Sequence, residues 1–312
     1  MTEAGLFGVV PNFSEGRRTD VIEAIVSALH VPGARVVYAD ADPDHNRLDT
    51  TVLGDASAVR TSALAGAAVA VERIDMREHR GGHPRMGAVD VVPFMPVRDV
   101  TIDDCVALAR ATGRELAERL DLPVYLYGRA ASIPERASLP DVRRGEFEGL
   151  REAVARGERL PDFGPQVIGP AGATAVGARK PLVAFNVYLD GTDEVVAKHI
   201  ASALRESGGG LPAVRAIGFT VPDRGGIVTI SMNLVDHEVT APRAAFDEVV
   251  RLAARHGMAV TDSEIVGLVP ASALGDGDAE HLRLQGFDAD RQVLERLVDG
   301  DGDDDDGDDG GV

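Results

Sequence analysis

The chain has 312 residues, 44% of them hydrophobic, which is enough for two domains with sizeable cores. Its formal net charge of −19 argues against nucleic acid as a partner, because a phosphate backbone is held by lysine and arginine. With one cysteine (Cys105), no apolar run of membrane-spanning length and no N-terminal signal pattern, a disulfide and a thiolate metal cluster are excluded and a cytoplasmic protein away from membranes is expected.

In chain order, Leu6 to Val10 reads as a short strand and the polar PNFSEGRR after it as a turn. Val21, Ile22, Ile25, Ala28 and Leu29 then recur at helical spacing, with Thr19 placed to cap. Val36 to Asp40 is a predicted strand, followed by a polar loop to Arg47, a strand over Leu48 to Leu53, an alanine-rich helix over Ala56 to Ala70, and a strand edge over Val71 to Met76. That order is β-α-β-β-α-β, the ferredoxin-like pattern. Further on come a strand (Val89 to Phe94), a helix (Ile102 to Leu120), the strand PVYLYG and a surface helix over Arg144 to Arg156. Pro161 to Lys180 has no period and four glycines, so it reads as a long loop and a candidate boundary. The second half repeats the pattern: strand Leu182 to Leu189, helix Asp193 to Glu206, strands Ala213 to Val221 and Ile227 to Val235, helix Pro242 to His256, strand Ala259 to Val266. The expectation is an α/β (α+β) protein of two ferredoxin-like subdomains with mixed or antiparallel sheets, residues 1–178 and 179–298. Residues 299–312, with eight Asp and five Gly, form an acidic tail that cannot bury apolar surface.

The stretch HRGGHPRMGAVDVVPF, His79 to Phe94, breaks these local rules. Gly81-Gly82 and Pro84 cannot continue a helix, so His83 sits on a constrained loop with Arg85 close by and Asp90 in the next strand. An imidazole held by a rigid scaffold beside a cation suits acid/base chemistry. Three further polar clusters fall at strand ends or on loops: Asn12 to Arg17, Asp40 with Asn46-Arg47, and Gly177 to Lys180. Each has a plain reading too, Asn12 and Ser14 as a turn leading a helix, Asp40 as a turn former, Lys180 as a solvated surface residue. His79 and His83, four apart, would present two ligands together only on a helix, and no cysteine or third close histidine completes a site, so no metal is expected.

Taken together, VPNFSEGR (Val10 to Arg17), the strand ending at Asp40 with Asn46-Arg47 after it, IDM (Ile74 to Met76), HPRMGAVDVVPF (His83 to Phe94), PVYLYG (Pro123 to Gly128), PDFGP (Pro161 to Pro165), GATAVGARKPLVAFNV (Gly172 to Val187) and IVGLVP (Ile265 to Pro270) resemble glutamate formiminotransferase, the formiminotransferase part of formiminotransferase-cyclodeaminase. The resemblance runs in order over about residues 6–275. It implies two α/β subdomains, a homodimer, and transfer of a formimino group between N-formimino-L-glutamate and tetrahydrofolate, the co-substrate, in histidine degradation. It makes His83 the catalytic histidine and Asp40 a carboxylate near the reacting centre. It also implies folate contacts from the loop Phe163 to Gly172, with Phe163, Gly164 and Pro165 at its start, and from the segment around Val214 to Asp223. Animal members carry Glu just before the catalytic histidine, where this chain has Gly82. The helical cyclodeaminase domain is not expected.

The reaction would move an amidine carbon from one nitrogen to another. One near-neutral imidazole, His83, would take a proton from N5 of the pterin and give one to the departing glutamate nitrogen, with Asp40 stabilising the formiminium charge. Asn12 and Asn46 are candidate polar contacts, and Arg47, Arg85, Arg179 and Lys180 candidate grips for the carboxylates of glutamate and folate. Competing readings are a formyl transferase on the same partners, a folate-binding module without turnover, and a metal-dependent amidohydrolase.

Overall fold

A proline sets the first irregularity of the first sheet. In the computed structural model, which describes residues 5–299, β1 (Leu6–Val9) and β2 (Asn12–Phe13) are one strand interrupted at Pro11. Pro11 has no amide hydrogen to give the ladder, but its carbonyl still accepts from Thr50 N at 3.2 Å and Thr50 Oγ1 at 2.7 Å. The turn expected over PNFSEGRR therefore begins as strand. Next come α1 (Thr19–Leu29), β3 (Ala34–Asp42), β4 (Arg47–Gly54), α2 (Ala56–Arg73), β5 (Val89–Arg98), α3 (Ile102–Leu120) and β6 (Val124–Gly128). Two further helices, α4 (Leu139–Val142) and α5 (Glu146–Ala155), precede β7 (Thr174–Ala178).

The first sheet runs β3, β4, β1/β2, β5, β7, β6. Its antiparallel part has the strand order of a ferredoxin-like β-α-β-β-α-β unit; β7, parallel to β5, and β6, parallel to β7, extend it. Helices α1, α2 and α3 pack in succession against it, burying Val9, Phe13, Ile25, Leu48, Val52, Phe94 and Leu116 in one core.

Three expectations need correction. Val71 to Met76 is no strand: α2 runs on to Arg73, and β5 takes the fourth strand position. A short apolar run after an alanine-rich helix has no period that separates one more turn from a strand. Thr19 does not cap α1; it is the first helical residue, and the Glu15 carboxylate accepts from Arg17 N and Arg18 N, both at 2.9 Å. Pro161 to Lys180 is not all loop, because β7 is a fully buried strand between β5 and β6. Its small residues suit a crowded interior, with the Tyr127 ring where a Cβ on Gly177 would come within 2.6 Å.

The chain divides into two compact units after Lys180. The second contains β8 (Val183–Leu189), α6 (Glu194–Leu204), β9 (Val214–Val221), β10 (Ile227–Leu234), α7 (Pro242–Ala254) and β11 (Val260–Val266). Its sheet, β11-β8-β10-β9, is wholly antiparallel and has the same ferredoxin-like strand order. Asp193 caps α6 through Val195 N at 2.9 Å, and a separate core surrounds Phe185, Ile230 and Phe246. Of the expected acidic tail, Asp299 ends a short helix begun at Arg296; residues 300–312 lie outside the described residues. Among the described residues no helix is long and apolar enough to cross a membrane.

Gly172 holds the segment before β7 against the segment before β5. Its φ is +77°, and a Cβ there would lie 2.4 Å from the Met86 carbonyl and 2.5 Å from Gly87 Cα. Ala88 N donates to Ala171 O at 2.7 Å and Ala173 N to Met86 O at 3.0 Å alongside. Gly172→Ala should cost roughly 1–3 kcal/mol from the backbone conformation alone, before any clash. The urea midpoint is expected to fall at unchanged slope; an unchanged midpoint would contradict this account.

Candidate active site

The site begins with the tight turn between β3 and β4. Asp42 closes it: Oδ1 accepts from Asp44 N and His45 N, each at 2.9 Å, and Oδ2 pairs with His45 Nδ1. Asn46 follows with a φ of +51°, a conformation asparagine tolerates better than most residues. Its buried amide joins two other segments. Oδ1 accepts from Gly16 N at 2.8 Å, and Nδ2 donates to the Arg80 carbonyl at 3.0 Å. The Asn46 carbonyl accepts from His79 Nε2 at 3.0 Å. Glycine is needed where these segments meet: a Cβ on Gly16 would lie 2.2 Å from the Asp42 carbonyl, and one on Gly81 2.2 Å from that of His45. The segment carrying His83 is thus laid on the turn, and the His45 and His83 rings meet edge to face with centroids 6.3 Å apart.

Arg85 has a different task from the one expected. It is buried, its guanidinium is shared by Glu146 and Glu148 of α5 (2.7 Å to Glu148 Oε1), and Nε donates to His79 Nδ1 at 3.4 Å. Phe147 N also donates to the Arg85 carbonyl at 2.9 Å. With two protein carboxylates on it, this guanidinium anchors the histidine loop to α5.

Cross-strand partners share a face of a sheet, so Tyr38, Asp40 and Asp42 stand beside Thr51, Asp49 and Arg47, and Asn12 continues the row opposite Asp49. The intervening Leu48, Thr50 and Val52 are buried. Asn12 Nδ2 donates to Asp49 Oδ1 at 2.7 Å, while Arg47 donates to Asn12 Oδ1 at 2.8 Å and to Asp49 Oδ2 at 2.7 Å. Burial pushes the Asp49 carboxyl up, against the pull of Arg47 and Arg179; the nearby Asp40 adds to the rise. Asp40 itself is exposed and hydrogen-bonds with Tyr38, whose phenol is pushed up to about 12, by burial first and then by the Asp40 and Asp49 charges. Beyond β2, the fully buried Asp90 accepts from Met86 N at 2.9 Å and pairs with Arg143 at the end of α4. Arg179 reaches the same group through a hydrogen bond with Tyr127.

His83 is half-buried at a narrow cleft lined also by Asn12, His45, Arg47, Arg85 and Asp90. Its imidazole is pushed down to about 3, by burial first and then by the Arg47 and Arg143 cations and by His45; a hydrogen bond with the Pro84 backbone works the other way. His83 is therefore neutral over the physiological range, with a lone pair for a proton.

The structure gathers His83, Asn12, Asn46, Arg47 and Arg85 at this pocket, with Asp40 and Arg179 connected to it through Asp49. Phe163, Gly164 and Pro165 lie elsewhere, beside the start of β6, with Phe163 O accepting from Val124 N at 3.0 Å and the Arg114 guanidinium 4.8 Å from the Phe163 ring centre. Gly164 (φ +84°) is shaped by close packing on the Leu122 carbonyl, 2.4 Å from where its Cβ would be. Lys180 follows β7 and its carbonyl accepts from Arg179 Nη1 at 3.2 Å. Asp49, Arg143, Tyr127 and His45 were missed. Asp49 had a signal, since Arg47, Asp49 and Thr51 alternate with Leu48, Thr50 and Val52; Arg143 and Tyr127 had none. Cys105 is buried in α3, its thiol pushed up to about 12 by burial, which leaves it inert. Among the described residues no group of three or more His, Cys, Asp or Glu is placed to hold a metal ion.

A neutral imidazole ringed by cations, with carboxylates one strand away, is the equipment of a transferase that works by moving protons. Residues 6–179 match the formiminotransferase domain, N-terminal subdomain, and residues 184–288 the formiminotransferase domain. The chain belongs to the formiminotransferase family. It is 45% identical over 293 residues to a glutamate formimidoyltransferase of Thermoplasma acidophilum, covering 93% of this chain and 96% of that one. A glutamate formimidoyltransferase of Streptococcus pyogenes serotype M1 is 41% identical over 92% of this chain and 96% of its own length. The formimidoyltransferase-cyclodeaminase of Rattus norvegicus is 46% identical over 86% of this chain, but the match spans 51% of that longer protein.

The position of His83 fixes a sign. Its folded-state value lies below the ordinary 6.5, so the unfolded chain takes a proton that the folded chain refuses. Its contribution to stability is complete above about 6.5 and declines as the pH falls from there towards about 3. Ring resonances of His83 should stay those of a neutral imidazole across the range where histidines ordinarily titrate, about pH 5 to 8. A midpoint near 6.5 would refute the electrostatic account.

Proposed function

We propose that this chain transfers the formimino group from N-formimino-L-glutamate to tetrahydrofolate, giving 5-formiminotetrahydrofolate and L-glutamate in the one-carbon step of histidine degradation. The observation that carries this reading is a family match through both units to glutamate formimidoyltransferases of nearly the same length. The geometry at His83 supports it. N5 of the pterin attacks the formimino carbon and must lose a proton; His83 is the group assigned to take it, although burial and the arginines hold it well below the near-neutral range expected, which makes it a weak base.

The donor carbon is most electrophilic when its amidine is cationic. Asp40 and Asp49, paired across β3 and β4, supply negative charge on the face where that cation would sit. The Asp49 carboxyl is raised by burial first and by the Asp40 charge last, and a cation arriving beside the two would offset both. Arg47 and Arg179, with Lys180 next in sequence, are the proposed grips for the glutamate carboxylates; Asn12 orients Arg47, and Asn46 holds the turn beneath it. Folate contacts are proposed for the loop that opens with Phe163, Gly164 and Pro165 and closes at Gly172, and for the segment around residues 214–223. A cytoplasmic homodimer completes the proposal.

Incubation with formiminoglutamate and tetrahydrofolate, following glutamate release, tests the reading. Turnover is expected with this donor and little with formylglutamate; the reverse preference would make the chain a formyltransferase. His83→Ala should lower kcat by about 10²–10⁴ while folate still binds. Unchanged turnover would remove His83 from the mechanism.

A further inference from the structure

We infer that His45, oriented by Asp42, is a second proton-transferring group of this site and protonates the leaving glutamate nitrogen while His83 serves as base. This rests on the formimino-transfer reading and divides between two imidazoles a task that one was expected to perform alone. Three observations carry it. The Asp42 carboxylate holds Nδ1 of His45 and also takes the His45 and Asp44 backbone amides, so the ring is held by its own turn. A carboxylate on Nδ1 keeps the proton there and leaves Nε2 as the exchanging atom. His45 also lines the same narrow pocket as His83, with the rings edge to face at 6.3 Å. Finally, the loop bearing His83 is shaped to the turn: only glycine fits at 81 against the His45 carbonyl, and Gly82 packs on the turn, its Cβ position in van der Waals contact with the Asp44 carbonyl and His45 Cδ2 at 3.7 and 3.8 Å.

The two imidazoles have opposite surroundings. His83 faces the Arg47 and Arg143 cations and is held neutral; His45 is exposed and tied to an anion. Other charged groups around His45 are Asp44 on its own turn, Arg17, which donates to the Pro43 carbonyl at 2.7 Å, and Arg47, His79, Arg85 and Asp90 along the pocket. In the step, the bond from N5 to the formimino carbon forms and the N5 proton passes to His83. The bond from that carbon to the glutamate nitrogen breaks, its electron pair stays on nitrogen, and the His45 proton is delivered there. The net proton count is unchanged, and return of the proton from His83 to His45 through water resets the pair.

The test is the pH dependence of kcat for the wild type, His45→Gln and Asp42→Asn with formiminoglutamate and tetrahydrofolate. The wild type should give a bell whose alkaline limb reports loss of the His45 proton. In His45→Gln that limb should vanish and kcat should fall about 10²-fold. Asp42→Asn should keep the limb and lower kcat, because the ring loses the carboxylate that holds Nδ1. An alkaline limb retained in His45→Gln overturns the inference, even where kcat falls, since a merely structural role lowers rate without removing a limb. A wild type that exchanges no formimino group overturns the functional reading and this inference with it. A wild type that turns over, with both limbs intact in His45→Gln, overturns the inference alone.

Discussion

The amide of Asn46 is the interaction on which the site depends. A single side chain in the left-handed region ties the Gly16 amide to the Arg80 carbonyl, and its backbone carbonyl holds His79. Three loops far apart in sequence, after β2, between β3 and β4, and before β5, are gathered at one end of the sheet by these bonds. The first two span only a few residues and the third carries Gly81, Gly82 and Gly87, so none would hold a catalytic geometry alone. Arg85 completes the arrangement from the other side by fastening the histidine loop to α5 through Glu146 and Glu148. The loop is thus restrained at both ends, with His83 between.

Electrostatics then follow from placement. The chain as a whole is strongly acidic, yet the surroundings of His83 are cationic, because Asp49 and Asp90 each hold an arginine in place near it. A carboxylate that pins a guanidinium beside an imidazole does two things: it stays satisfied in a half-buried setting, and it lends the arginine to the neighbouring ring. The carboxylate and cation networks are therefore parts of one device. Asp40, exposed at the rim and opposite Asp49, remains the acidic group open to an incoming cation.

Much of this was legible in the sequence where local chemistry and pattern agreed. α3 ran over the residues that periodicity marked, because Thr101 and Asp104 form a capping box at its start. The second unit followed its alternation strand by strand, since one face of each strand is buried and the other is not. The signal failed where tertiary packing overruled local appearance. β7 is a central strand hidden in a glycine-rich run, because the glycine that looks like loop lies beneath the Tyr127 ring. Arg85 looked like a free cation, and only the fold brings Glu146 and Glu148, about sixty residues on, to occupy it. Arg143 and Asp90 are 53 residues apart and joined only in three dimensions. The histidine loop itself was recognisable from its glycines and proline, which carry local meaning, whereas its partners were not.

Asn46→Gly isolates the central claim, because glycine keeps the left-handed backbone and removes only the amide that gathers the loops. Steady-state kinetics with formiminoglutamate and tetrahydrofolate should show kcat reduced about 10²-fold, the scale expected when a catalytic group is misplaced by about an ångström, in a protein that still folds and still binds folate. Wild-type kcat in that folded variant would show that His83 is held by something other than this clasp.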